Sequence, residues 1–142
     1  MNSLSDAIII ATKAHRGQSD KAGKEYILHP LRVMMRLQDE KDQICAVLHD
    51  VIEDTEISEY DLKEYFSQDI IDTLKALTHL ESESYESYID RIITNESACR
   101  VKLSDLSDNM DLSRFEEITE DDKKRYEKYF DARNKIKNSL NK

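Results

Sequence analysis

An all-α domain is the fold class this sequence predicts, on two observations. Only two glycines and one proline occur among 142 residues, so most of the breakers that strands and tight turns require are missing. Along most of the chain, apolar residues recur every three or four positions, the period of a helix with one buried face. The length suits a single domain, residues 1–142, able to bury a core of its own.

The first helix is expected from about Ser5 to His15, with Ile8, Ile9, Thr12 and His15 at core-compatible spacings and Gly17 as its end. The segment GQSDKAGKEYILHP, Gly17 to Pro30, holds both glycines and no sustained period, which makes it a loop. Pro30 suits the first position of a second helix, which carries Leu31, Val33, Met34 and Leu37 and ends near Asp39. His29 stands immediately before it. A third helix, about Lys41 to Asp54, aligns Ile44, Cys45, Val47, Leu48, Val51 and Ile52. Ser58 with Asp61 three residues on resembles a capping signal for a short helix reaching Tyr65 or Phe66. Helices over Ile70 to Leu80, Tyr85 to Ile93, Ser97 to Met110 and about Asp121 to Leu140 complete the chain. On the last, Tyr126, Tyr129, Phe130, Arg133, Ile136 and Leu140 form a stripe expected to pack on the core.

A net charge of −9 argues against DNA, RNA or an anionic membrane as the main partner, because phosphate binding rests on Lys and Arg. A small anion held by a local basic cluster remains compatible, and Lys13, Arg16, Lys21 and Lys24 surround a single acid, Asp20. Cys45 and Cys99 fit no metal spacing and lie in helical patterns, as reduced core thiols of a cytoplasmic protein would. The apolar run Ala7–Ala11 is far too short to span a bilayer.

Chemistry concentrates in LHDVIEDT, Leu48 to Thr55, where His49, Asp50, Glu53 and Asp54 interrupt an apolar helical pattern. Ionisable groups beside a core need a compensating ligand or network. His29, His49, Asp50 and the distant Asp105 suit one divalent metal: two imidazoles and two carboxylates match Mn, Fe, Co or Zn and leave positions for water and a substrate oxygen. Helical spacing sets Glu53 one turn beyond His49 and Asp50, where a carboxylate can orient water or accept its proton; Asp54 would assist. His15 and His79 read as structural or surface histidines.

VKLSDLSDNM, Val101 to Met110, resembles the VKLADRLHNM-type segment of HD-superfamily hydrolases, whose His, His-Asp, Asp set maps onto His29, His49, Asp50 and Asp105. AHRGQ (Ala14–Gln18), YILHPLRV (Tyr26–Val33) and HDVIEDT (His49–Thr55) resemble, in order and spacing, the hydrolase domain of RelA/SpoT-type alarmone enzymes. The resemblance covers about Ala11 to Arg114. It implies an HD-domain helical bundle and a Mn²⁺-dependent hydrolase that removes the 3′-pyrophosphate from (p)ppGpp, similar to the small stand-alone members. It further implies catalytic roles for Glu53 and Asp54 and nucleotide contacts for Asn109 and Lys21. Lys102 faces either the site or solvent on this reading.

Two departures bear on the substrate. Asp20 stands where the alarmone hydrolases carry an Arg beside the guanine base, and Glu25 replaces their Pro. The metal set is complete while base recognition is altered. An adenine alarmone or another 3′-phosphorylated nucleotide is therefore the alternative substrate. A catalytically inactive HD binding module is the alternative of a different class.

Overall fold

The structure, a computed structural model, describes residues 3–141; Met1, Asn2 and Lys142 of the expected domain lie outside the described residues. Its regular elements are α1 (Leu4–Ala14), α2 (Leu28–Met35), α3 (Glu40–Leu48), α4 (Val51–Asp54), α5 (Glu59–Lys63), α6 (Gln68–Leu77), α7 (Tyr85–Ile93), α8 (Glu96–Asn109), a 3₁₀ turn at Leu112–Arg114 and α9 (Glu120–Leu140). Among the described residues there is no strand beyond an isolated bridge, Ser19 to Glu25. The all-α expectation holds.

Starts are set by side chains that satisfy the orphan N–H groups of each first turn. Ser58 and Asp61 form the expected reciprocal box on α5, and Ser3 with Asp6 and Thr119 with Asp122 build the same device on α1 and α9. Ser67, Ser84 and Asn95 cap α6, α7 and α8.

Several boundaries differ from expectation: α2 ends at Met35, short of Asp39, α5 at Lys63, short of Tyr65, and α6 at Leu77, short of Leu80. Two further differences bear on the site. The helix α2 begins at Leu28, not Pro30. Proline costs nothing there, because its missing N–H is one of the first-turn groups with no intrahelical partner. More consequentially, the expected helix over Lys41 to Asp54 is broken at His49 and Asp50. The His49 Nδ1 lies 2.5 Å from the Ala46 carbonyl. That carbonyl is the one a continuing helix would offer to the N–H of Asp50, so the imidazole's claim on it ends α3. Glu53 and Asp54 therefore ride on a separate turn.

At the centre lie α3 and α8. The helix α3 packs against α1, α2, α6 and α8, and α8 against α2, α3, α6, α7 and α9. Cys45 through Leu48 on α3 and Ala98, Val101 and Leu106 on α8 are fully buried. Both cysteines are buried free thiols, and burial pushes Cys45 up to about 12. Asp42 of α3 is buried too, bonded by Ser97 and by Arg100 Nε at 2.6 Å, which ties the central pair together. The long α9 buries only Asp122, Ala132 and Ile136. Tyr126 and Phe130 stay exposed, against the expected core stripe, because α9 covers one edge and leaves most of its circumference to solvent.

Between α1 and α2 the Gly17–Ile27 loop folds on itself. Gly17 and Gly23 take positive φ (+87° and +79°), the left-handed turn that glycine adopts without strain. Asp20 Oδ1 accepts the N–H groups of Ala22 and Lys24, both at 2.9 Å.

Candidate metal centre

Three elements converge on one buried point. His29 comes from the first turn of α2, His49 from the end of α3, and Asp105 from the middle of α8. One ligand atom of each lies within 4.8 Å of the others. His29 Nε2 is 3.0 Å and His49 Nε2 is 3.3 Å from Asp105 Oδ1. Asp50 joins them, its Oδ2 lying 3.1 Å from His49 Nε2 and 3.7 Å from His29 Nε2. The four expected ligands thus share one site.

The donor set fits a divalent metal. Each imidazole has its Nδ1 engaged elsewhere, His49 with the Ala46 carbonyl and His29 with Asp108 Oδ2 at 2.7 Å. Both Nε2 atoms are thereby aimed at the carboxylates, the arrangement in which an outer hydrogen bond fixes tautomer and ring. Without a cation the cluster holds protons instead. Burial opposes charge on His49, yet Asp50 and Asp105 raise it well above the usual imidazole range; His29 is raised by Asp105 and Asp108 against the same burial. Asp50 is held down at about 2, burial being outweighed by the histidines, and Lys102 and His49 hold Asp105 well below the usual carboxylate range against the same opposition. Such a site calls for positive charge.

Around this cluster the structure adds partners that the spacing did not name. Lys102 is buried, its Nζ 2.8 Å from Asp105 Oδ2 and 5.1 Å from the centre of the Tyr88 ring; it faces the site, not solvent. Asn109 Nδ2 donates to Asp105 Oδ1 at 3.1 Å, steadying a ligand one helical turn before it. The Tyr26 hydroxyl donates to Asp50 Oδ2, a contact the sequence did not suggest.

Glu53 and Asp54 form a second group with Asp50, their ligand atoms within 4.8 Å of one another. Both are exposed at the edge of the site. Partial burial and then Asp50 raise each above the usual carboxylate range. His15 and His79 stand apart from the cluster. His15 is buried with Nδ1 2.9 Å from Gln18 Oε1, and Gln18 in turn donates to the Asp54 carbonyl. His79 stacks on Tyr88 with ring centres 4.7 Å apart.

A cavity of about 370 Å³ opens onto His29, Asp50 and Asp105. Lys21, Arg32, Lys102, Arg114 and Arg125 line it, with Asp20 and Asp122 as the acids outside the metal set. Leu112, Phe115, Tyr126 and Tyr129 supply an apolar and aromatic side. Glu53 and Asp54 are not among its lining residues, so they flank Asp50 away from the main opening. Of the expected basic loop only Lys21 reaches the cavity; Lys13, Arg16 and Lys24 are exposed elsewhere. The rest of the positive lining comes from α2, α8, the 3₁₀ turn and α9.

Sequence reasoning missed Asp108. It is fully buried and takes, besides His29, Arg32 Nε at 2.8 Å, Arg32 Nη2 at 3.1 Å and Arg36 Nη1 at 3.1 Å. Its position three residues after Asp105, the same face of one helix, was the available signal.

An HD domain family model matches residues 7–105. A guanosine-3′,5′-bis(diphosphate) 3′-pyrophosphohydrolase of Aquifex aeolicus is 34% identical over 110 residues, 71% of this chain and 16% of that protein. The bifunctional (p)ppGpp synthase/hydrolase SpoT of Escherichia coli is 28% identical over 122 residues, 75% of this chain and 17% of that protein. The chain thus spans about a sixth of the length of these curated relatives. A solved structure of a metazoan ortholog of SpoT that hydrolyzes ppGpp has a TM-score of 0.77 to this chain at 25% identity, covering 96% of this chain and 84% of that one.

Proposed function

We propose, because this chain belongs to the HD domain family, that it is a metal-dependent phosphohydrolase which removes the 3′-pyrophosphate from (p)ppGpp. One observation carries the reading: buried His29, His49 and Asp105, joined by the partly buried Asp50, open into a cavity lined by five cationic side chains. A site that pairs metal ligands with Lys and Arg suits a phosphorylated small molecule. Relatives and the similar solved structure, each described as acting on ppGpp, support the substrate class.

His29, His49, Asp50 and Asp105 would hold the metal, with Mn²⁺ the ion this mixed nitrogen and oxygen set suits on our reading. When bound, the metal supplies Lewis-acid polarisation of a phosphoryl oxygen and of water. Glu53 accepts the proton of the attacking water, a role its raised pKa suits, and Asp54 supports it. Lys102, held against Asp105, offsets charge developing on the phosphoryl group, and Lys21 and Asn109 contact the nucleotide from the cavity wall. The reading carries with it a cytoplasmic location and no nucleic-acid partner.

A second reading keeps the reaction and changes the base. Asp20 lines the cavity where the resembling enzymes carry Arg, and its carboxylate is already committed to the N–H groups of Ala22 and Lys24. The test is Mn²⁺-dependent pyrophosphate release from ppGpp with the adenine analogue in parallel. Release from ppGpp that disappears in Asp50→Ala is the expected result. Preference for the adenine compound would favour the second reading, and release from neither by metal-loaded protein would refute both.

A further inference from the structure

Three guanidinium groups gather around one carboxylate. Arg32 bonds Asp108 side-on through Nε and Nη2, and Arg36 reaches the same Oδ1 through Nη1. Arg114 donates from Nη2 to the Asp108 carbonyl at 3.3 Å, while its Nη1 stands 3.7 Å from Asp108 Oδ1 and 3.5 Å from Asp111 Oδ2. Asp108 Oδ2 is also taken by His29. The carboxylate is therefore saturated while the arginines are not. A guanidinium carries five N–H donors, and Arg32 spends only part of its fork on Asp108. Arg114 makes one bond and two longer ion-pair contacts.

Their placement separates the three. Arg32 and Arg114 line the cavity that opens onto the metal ligands; Arg36 does not. Arg32 sits one helical turn after His29, so Asp108 anchors a metal ligand and a cavity cation at once. Unspent guanidinium donors in a cavity, pre-oriented by a buried acid, favour a tetrahedral oxyanion with several acceptor oxygens.

We propose that Arg32 and Arg114, oriented by Asp108, form a second anion subsite that takes the 5′-diphosphate of a nucleotide whose 3′ end lies at the metal cluster. This assignment rests on the hydrolase reading above for the location of the 3′ end. What it adds to that reading is the two side chains by which the cavity measures the second phosphate group as well as the one removed.

The experiment is calorimetric titration of the whole chain, metal-loaded, with GDP and with GMP, in wild type, Arg32→Gln, Arg114→Gln and Arg36→Gln. Melting temperatures are recorded for each. GDP affinity should fall roughly tenfold in Arg32→Gln and in Arg114→Gln, with less effect on GMP. Arg36→Gln loses a bond to the same carboxylate but removes no cavity cation, so its GDP affinity should match wild type. Arg114→Lys, which keeps the charge and loses the fork, should fall in between and serves if Arg114→Gln does not fold. Three results would overturn the subsite: no GDP binding by wild type up to millimolar concentration, unchanged affinity in both cavity variants, or an equal loss in Arg36→Gln. Pyrophosphate release from ppGpp is scored separately. Arginine-dependent GDP binding without release would remove the hydrolase reading and leave the subsite, and release with arginine-independent binding would do the reverse.

Discussion

Replacing Asp108 by Asn should weaken the metal site without touching a ligand. In the native protein His29 Nδ1 lies 2.7 Å from Asp108 Oδ2, a bond that keeps the proton on Nδ1 when Nε2, facing Asp105 and Asp50, takes a metal. An Asn amide keeps the shape, yet it has one acceptor oxygen for the donors of His29, Arg32 and Arg36 and turns an NH₂ group toward one of them. The imidazole then loses the bond that fixes its tautomer, and a partner of this kind contributes about 10- to 100-fold to metal affinity. That range corresponds to about 1.4 to 2.7 kcal/mol. A stability loss of about 2 kcal/mol should accompany it, since charge-assisted bonds are broken but the arginines are about a third exposed and can turn to water. Competition with a chelator gives the Mn²⁺ affinity, and thermal melts give the stability. Arg36→Gln is the control: it should lower the melting temperature while leaving metal affinity within about threefold. An Asp108→Asn protein that is less stable but binds Mn²⁺ as wild type does would refute the claim that Asp108 orients His29.

Glu53→Ala should retain stoichiometric metal and lose turnover by about 10²- to 10⁴-fold, the usual weight of a general base; a near wild-type rate would remove Glu53 from that role. In metal-free protein His29 and His49 are raised above the unfolded imidazole value, so their contribution is complete below about pH 6.5 and is lost as pH rises through the folded values. Asp50, Asp105 and Asp108 are lowered, so theirs is present above about pH 4 and is lost as pH falls. Melting of chelator-treated protein should therefore be highest between about pH 4 and 6.5, and a melting temperature that climbs from pH 7 to 9 without metal would contradict the cluster's electrostatics. Asp42→Ala should destabilise by about 3 kcal/mol in denaturant titration, because Ser97 and Arg100 lose their shared buried partner; a change under 1 kcal/mol would show that α3 and α8 do not depend on that link.

Local physics made much of this chain readable in advance. The box at Ser58 and Asp61 needs only residues three apart, and the amphipathic period of Tyr85–Ile93 appears as a helix with the expected bounds. The meeting of His29, His49, Asp50 and Asp105 was equally legible, since ionisable groups set into an apolar helical pattern are costly unless something compensates them. What escaped was decided by contacts between distant segments. Asp108 meets Arg32 across 76 positions of chain and His29 across 79, separations on which no periodicity reports. Tyr126 and Tyr129 form a cavity wall because α9 lies beside the site, whereas their spacing alone suggested core packing. Even the break between α3 and α4 rests on one side chain taking a carbonyl from the backbone. Sequence by itself determined most of the helices and marked His49 and Asp50 as groups that needed a partner. Only the tertiary structure decided who the partners are, because a charge can be neutralised from any direction, while a helix period constrains only its own face.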